Sequence, residues 1–185
     1  MLSDSTIAPM KSTFFLLVLT VAAAGVLAQP ADAQRQAEVA RRGGDVMPFS
    51  LAATQHIFTK TAEGGTQRVV ARDPRDAAQV KLVRRHLHDI HAQFQRGDFS
   101  GPAHIHGDDM PGLAELKAAK PGELAISYKD VRGGAELAYR TGNPVLVAAV
   151  HSWFDAQLSD HGHDAMAGQE RHRGGMQSMQ GTRTR

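Results

Sequence analysis

One plan occurs twice in this chain: a β-favouring run, a turn ending in Gly-Gly, a second β-favouring run, a proline preceded by a capping residue, and a helix with an apolar stripe. In the first copy HIFTK and TQRVVAR flank Ala62-Glu63-Gly64-Gly65, Asp73-Pro74 stops the second run, and the helix closes with Ala92-Gln93-Phe94. In the second, ELAISYKDV and AELAYRT flank Arg132-Gly133-Gly134, Asn143-Pro144 follows, and the helix closes with Ala156-Gln157-Leu158. Few identities accompany the shared plan. It still constrains the fold strongly, because a Gly-rich turn pairs its flanking runs antiparallel and an isolated hairpin has an apolar face that a helix must cover. The expectation is an α+β domain of ββαββα order, with one four-stranded, mainly antiparallel sheet and both helices on one face.

Asp73 as N-cap with Pro74 at the first helical position starts the first of those helices. Val80, Val83, Leu87, Ile90 and Phe94 recur at steps of three and four, which is a stripe that packs on a sheet. Gly97-Asp98 ends it. A loop from Phe99 to Pro111 and a short helical segment from Leu113 to Ala119 fill the space before the second hairpin. In the second long helix Val147, Val150, Phe154 and Leu158 form the corresponding stripe, with Trp153 as core or flank packing.

The two ends of the chain differ from this middle. Lys11 precedes an apolar run from Phe14 to Ala28, and Ala31-Asp32-Ala33 has the small-x-small form that a signal peptidase accepts. The run falls short of the roughly 20 residues of a membrane span. Residues 1–33 therefore read as a cleaved export signal, with Gln34 as the mature N-terminus and Met10 as an alternative start. The mature chain is periplasmic or secreted and makes no stable membrane insertion. Residues 34–51 read as a polar lead-in, loose or briefly helical, and residues 52–160 as the single α+β domain. From 161 to 185 the chain is polar and Gly-rich, the composition of a disordered tail.

The 185-residue chain has no cysteine and ten histidines. An exported chain without cysteine has no disulfide framework and no thiolate metal site. Its near-neutral balance without a signal and its 5% aromatic content argue against nucleic acid as a partner. Five of the histidines lie between His86 and Met110 in HLHDIHAQFQRGDFSGPAHIHGDDM. Imidazoles and a thioether at that density form a ligand set for a borderline or soft transition metal. Copper leads, with zinc or nickel as alternatives, for sequestration, delivery or resistance, and other metal-handling proteins are the natural partners.

Two arrangements compete for the site. His88 and His91, one turn apart on the helix, can chelate together with His104 and His106 of the loop, with Met110 as a sulfur ligand. Alternatively His86 and His151, on the shoulders of the two apolar stripes, are closed over by His106, with His161 just beyond the second helix as a further candidate. The second is preferred, because packing orients shoulder side chains. Asp89, Asp108 and Asp109 are either supporting carboxylates or solvated surface. The tail adds His163, Met166, His172, Met176 and Met179, suited to copper in either oxidation state. Histidines that are purely structural or substrate-binding are the competing reading, and a minor metalloenzyme with an open coordination position is a third. No G-x-S-x-G, H-E-x-x-H or phosphate-cradling glycine loop is present.

The segments HLHDIHAQFQRGDFSGPAHIHGDDMPGL and HSWFDAQLSDHG resemble a group of small His-rich exported proteobacterial proteins found in metal-handling contexts. The resemblance spans most of residues 52 to 165 and implies His86, His106, Met110, His151 and His161 as the matching positions. His88, His91 and His104 are not among them. Members are sometimes labelled aspartate carbamoyltransferase, but that activity needs two doubly wound domains and a phosphate site, which exceeds what this chain supplies.

Overall fold

The structure, a computed structural model, describes residues 31–169. The expected signal lies almost wholly outside them, as do His172, Met176 and Met179. Five helices and five strands follow in the order α1 (Ala31–Val46), β1 (Thr54–Thr61), β2 (Gly64–Ala71), α2 (Ala77–Phe94), α3 (Ser100–His106), α4 (Leu113–Ala118), β3 (Ala125–Val131), β4 (Gly134–Arg140), α5 (Pro144–His161) and β5 (Ala165–Ala167). A single 3-10 turn, Gly162–Asp164, joins the last two.

The repeated plan is present as two hairpins set side by side. The sheet order is β3-β4-β2-β1-β5, so the two hairpins meet at its centre, where β2 and β4 pair antiparallel. Strand alternation puts Phe58, Val69, Leu137 and Tyr139 on the inner face, all at 2% exposure or less. α2 covers them with Val83, Leu87, Ile90 and Phe94, and α5 with Val150, Trp153 and Phe154. The stripes are those legible in the sequence, except that Val80, Val147 and Leu158 are only half-buried. On the outer face Glu136 is buried between Arg68 and Lys129, at 2.6 and 2.7 Å. Burial pushes its carboxyl up, but those two cations outweigh it and hold it low.

The sheet is five-stranded and mixed, where four mainly antiparallel strands were expected. β5 is the addition, and it runs parallel to β1 through the pairs His56 to Ala165, Ile57 to Met166 and Phe58 to Ala167. Three residues of Ala-Met-Ala carry no alternation of their own. β1's open edge supplies the pairing, together with the Gly168 N–H to Phe58 carbonyl bond and Arg72 on Asp164. The polar, Gly-rich composition after Ser159 therefore does not leave residues 160–167 without structure.

Residues 34–46, expected as a loose lead-in or a short helix, belong to the 16-residue α1. Val39 on its inner side is fully buried, and the helix packs on α3 and α5. Gly43, which looks like a breaker, lies inside the helix with the Met47 methyl packed over it, 2.6 Å from where a Cβ would stand. The first hairpin's helix begins later than expected. Asp76, not Asp73, caps it by accepting from the Gln79 N–H at 3.1 Å, while Asp73 closes a tight turn onto the Arg75 N–H. In the second half the expected cap holds, with Asn143 accepting from the Val145 N–H and Pro144 opening α5.

The loop expected from Phe99 to Pro111 contains α3. Its Pro102 stands in the first turn, where a missing N–H costs nothing, and its last residue is His106. After it Gly112 at φ +79° lets the chain press against α5, since a Cβ there would lie 2.1 Å from the Ala149 carbonyl oxygen. Among the described residues no helix is long and apolar enough to cross a membrane.

Candidate functional site

Four imidazoles reach one small internal space from four elements. His56 points inward from β1, two residues before Phe58 and opposite Val69. His86 comes from the shoulder of α2, His106 from the last residue of α3 and His161 from the last residue of α5. Together with Met47, Gln67, Gln157, Trp153 and apolar neighbours they line a cavity of about 40 Å³. No residue lining it carries a formal charge when the imidazoles are neutral.

The rings touch. His56 lies against His161 with centroids 4.8 Å apart and planes within 7°, and His106 stands edge-on to His161 at 5.1 Å. His56, His106 and His161 are 3%, 2% and 8% exposed. Phe49 packs edge-on to His86 at 5.5 Å and at 6.0 Å from His56. These rings are gathered rather than converged: among the described residues, no group of three His, Asp or Glu side chains already stands so as to hold an ion.

Burial sets the protonation of the cluster. Desolvation lowers the His56 pKa to about 4, helped by the proximity of His86 and His106 and opposed by the Asp164 backbone. Desolvation likewise lowers His86 to about 4 against a weak pull from Asp89. His161 is pushed well down by burial first, then by His56 and His106, with Asp160 opposing. At neutral pH these three rings are uncharged and carry free nitrogen lone pairs. The Nδ1 of His56 is buried with no hydrogen-bond partner, and so is the indole Nε1 of Trp153. Both residues line the cavity.

His106 is held differently. Its Nδ1 lies 2.7 Å from Asp160 Oδ2. Asp160 in turn accepts from Arg35 Nε and Nη2 at 2.9 and 2.8 Å, and Arg35 Nη2 also donates to the His106 carbonyl at 2.6 Å. Burial pushes the Asp160 pKa up, but the bonds from His106 and Arg35 outweigh it and hold the carboxyl well below its usual range. An ionised carboxylate only accepts, so Nδ1 carries a proton and Nε2 is the coordinating atom of the neutral ring. A carboxylate behind an imidazole in this way fixes its tautomer and orientation, as in metal sites generally.

No protein-family model, curated protein or solved structure matches this chain.

Of the residues expected from the sequence, the structure brings His86, His106 and His161 together and leaves the others elsewhere. His151 turns away, its Nε2 on the Thr61 and Gly64 carbonyls of the first hairpin at 3.0 and 2.9 Å. His91 bonds the Ile126 carbonyl at 3.0 Å, and His88 is exposed beside Tyr128 and Asp89. His104 faces Asp45 across 3.5 Å at the surface. Met110 is buried in the core and does not line the cavity. Asp108 pairs with Lys117, Asp89 and Asp109 are exposed, and His163 and Met166 are exposed.

His56 and Met47 are the additions. A period of two from Thr54 through His56 to Phe58 marks His56 as inward-facing, a signal legible in the sequence. Met47 follows a helix whose existence depends on tertiary packing. His151→Ala is expected to cost about 1 kcal/mol, through loss of the donor to the two hairpin carbonyls. Chemical denaturation checks this, and metal retention in the same variant is expected to equal wild type.

Proposed function

We propose that this domain binds one transition-metal ion, copper ahead of zinc or nickel, among His56, His86, His106 and His161, and serves sequestration, delivery or resistance outside the cytoplasm. The observation that carries the reading is the gathering of four imidazoles around one ion-sized space, three of them neutral through burial. A neutral imidazole is the form that coordinates, so no proton has to be expelled first from those three. His106 backed by Asp160 and Arg35 has the oriented form of a ligand histidine. The partnerless Nδ1 of His56 is a buried polar atom awaiting a partner, which purely structural packing leaves at a cost of about 1–3 kcal/mol. The size of the space argues against an organic substrate, since such pockets run to about 300 Å³ or more.

Coordination asks the rings to turn on their side-chain torsions until nitrogens stand about 2 Å from the ion. His86, the least buried of the four, sits where an ion would enter. Equilibrium dialysis of the full exported chain against a competing copper chelator tests the reading. Wild type is expected to retain one ion per chain; His56→Ala and His86→Ala should each weaken retention about 10- to 100-fold, while His88→Ala and His151→Ala leave it unchanged. Retention lost only when His172, Met176 and Met179 are replaced would move the site into the C-terminal segment. No retention at all would remove metal binding as the function.

A further inference from the structure

The charge and softness of the cavity wall go further than the identity of its histidines. Sixteen residues line the space and none is acidic or permanently cationic. The acidic group touching the cluster, Asp160, already has its charge matched by the bidentate Arg35. An ion entering this shell therefore keeps its whole charge inside a buried, largely apolar enclosure. The solvation lost on burial grows with the square of the charge, so a dication is penalised about four times as heavily as a monocation of similar size, on the Born reasoning for buried ions. Sites for Zn(II) and Cu(II) can offset that penalty with carboxylate or thiolate ligands, and this wall offers neither.

The donors point the same way. Besides the imidazoles, the wall contains the buried thioether of Met47, 7% exposed and placed directly after α1. Thioether sulfur is a ligand for Cu(I) and has little affinity for harder dications. A space of about 40 Å³ also leaves little room for the extra waters or oxygen ligands of a tetragonal Cu(II) centre, whereas Cu(I) is satisfied by few donors.

We infer that the pocket is selective for Cu(I) over Cu(II) and Zn(II), with Met47 as its sulfur donor beside the histidines; this rests on the metal-binding reading above. The chain's one tryptophan, Trp153, lines the cavity and is 1% exposed, so its emission reports ions in the pocket. In an anaerobic titration of the full chain with Cu(I) buffered by a Cu(I)-specific chelator, Trp153 emission is expected to quench to an end point at one ion per chain. A hundredfold excess of Zn(II) should not restore it. Met47→Leu, which conserves volume, should weaken Cu(I) about tenfold and leave Zn(II) binding unmoved, and X-ray absorption of the loaded wild type should show a sulfur neighbour. If Zn(II) or Cu(II) displaces Cu(I) at comparable concentration, the selectivity is overturned while the pocket remains a metal site. If Met47→Leu changes nothing and no sulfur is seen, the assignment of Met47 is overturned. If ions are retained without touching Trp153 emission, or none is retained, the metal reading of this pocket falls as well.

Discussion

Metal-free protein is expected to lose most of its stability between about pH 6 and pH 4, well before its carboxylates are generally protonated. The cause is the buried imidazole cluster. In the unfolded chain His56, His86 and His161 take up protons near their ordinary value of 6.5, whereas in the folded chain His56 and His86 resist down to about 4 and His161 is pushed well down in the same direction. Below pH 6.5 the unfolded state thus binds more protons than the native one, and stability falls with pH until the folded groups titrate. For His56 alone a displacement from 6.5 to about 4 corresponds to about 3 kcal/mol. Three such groups act together over the same window. A domain with a total stability of about 5–15 kcal/mol cannot absorb that without unfolding or loosening. Asp160 works in the same direction at lower pH, since its depressed carboxyl contributes stability that is present above the ordinary carboxylate range and lost as pH falls through its folded pKa. Urea midpoints at about pH 7.5, 6 and 5 measure this; His56→Leu should show a shallower dependence by about one proton. A midpoint that stays level from pH 7 to 5 would mean that the cluster is solvated and readily charged. Bound ion should oppose the loss, because it favours the state that presents the ligands.

Asp160→Ala is expected to cost about 1–3 kcal/mol, as the loss of the acceptor of a buried donor. Arg35→Ala is expected to cost no more than about 1 kcal/mol. The asymmetry follows from exposure. The Asp160 side chain is 10% exposed and the Arg35 side chain 43%, so losing Arg35 leaves a carboxylate that still has His106, and losing Asp160 leaves the 2%-exposed His106 Nδ1–H without an acceptor. The same removal unfastens α1, whose polar attachments to α5 are Arg35 on Asp160 and Gln36 on the Ser159 carbonyl. Amide exchange over residues 32–46 should therefore accelerate in Asp160→Ala more than in the strands. Equal and small costs for the two variants, with α1 still protected, would show that the helix is held by Val39 and Met47 packing rather than by this ion pair.

The copper reading and these stability effects share one set of residues. A cluster kept neutral by burial is prepared for a cation at neutral pH and is the same cluster that makes the empty fold acid-sensitive. The clamp from Arg35 through Asp160 to His106 joins the two: it orients one imidazole and at the same time fastens the helix that leads into Met47.

How much of this is legible in the sequence differs from element to element. The hairpins, the two long helices and their buried stripes are local properties: glycine turns, period-two alternation and three-four spacing each act within about 20 residues, and the structure has them where those signals stand. The histidine concentration from His86 to His106 and His161 at the end of the second long helix are also sequence properties, and three of those positions face the cavity. The sequence cannot reveal which neighbours share a space. His151 and His86 look equivalent in composition, yet His151 turns onto the carbonyls of the first hairpin. His56 sits in a strand 30 residues before His86 and 105 before His161, and only the sheet's packing against α2 and α5 brings the three together. β5 and α1 have the weakest local signals of all, because a three-residue strand and a glycine-containing polar helix are stabilised by the edge and the groove they occupy rather than by their own residues. Local backbone preferences and apolar periodicity are written in the chain; the pocket, the charge around it and the direction of each imidazole depend on long-range contacts, which exist only once the chain has closed on itself.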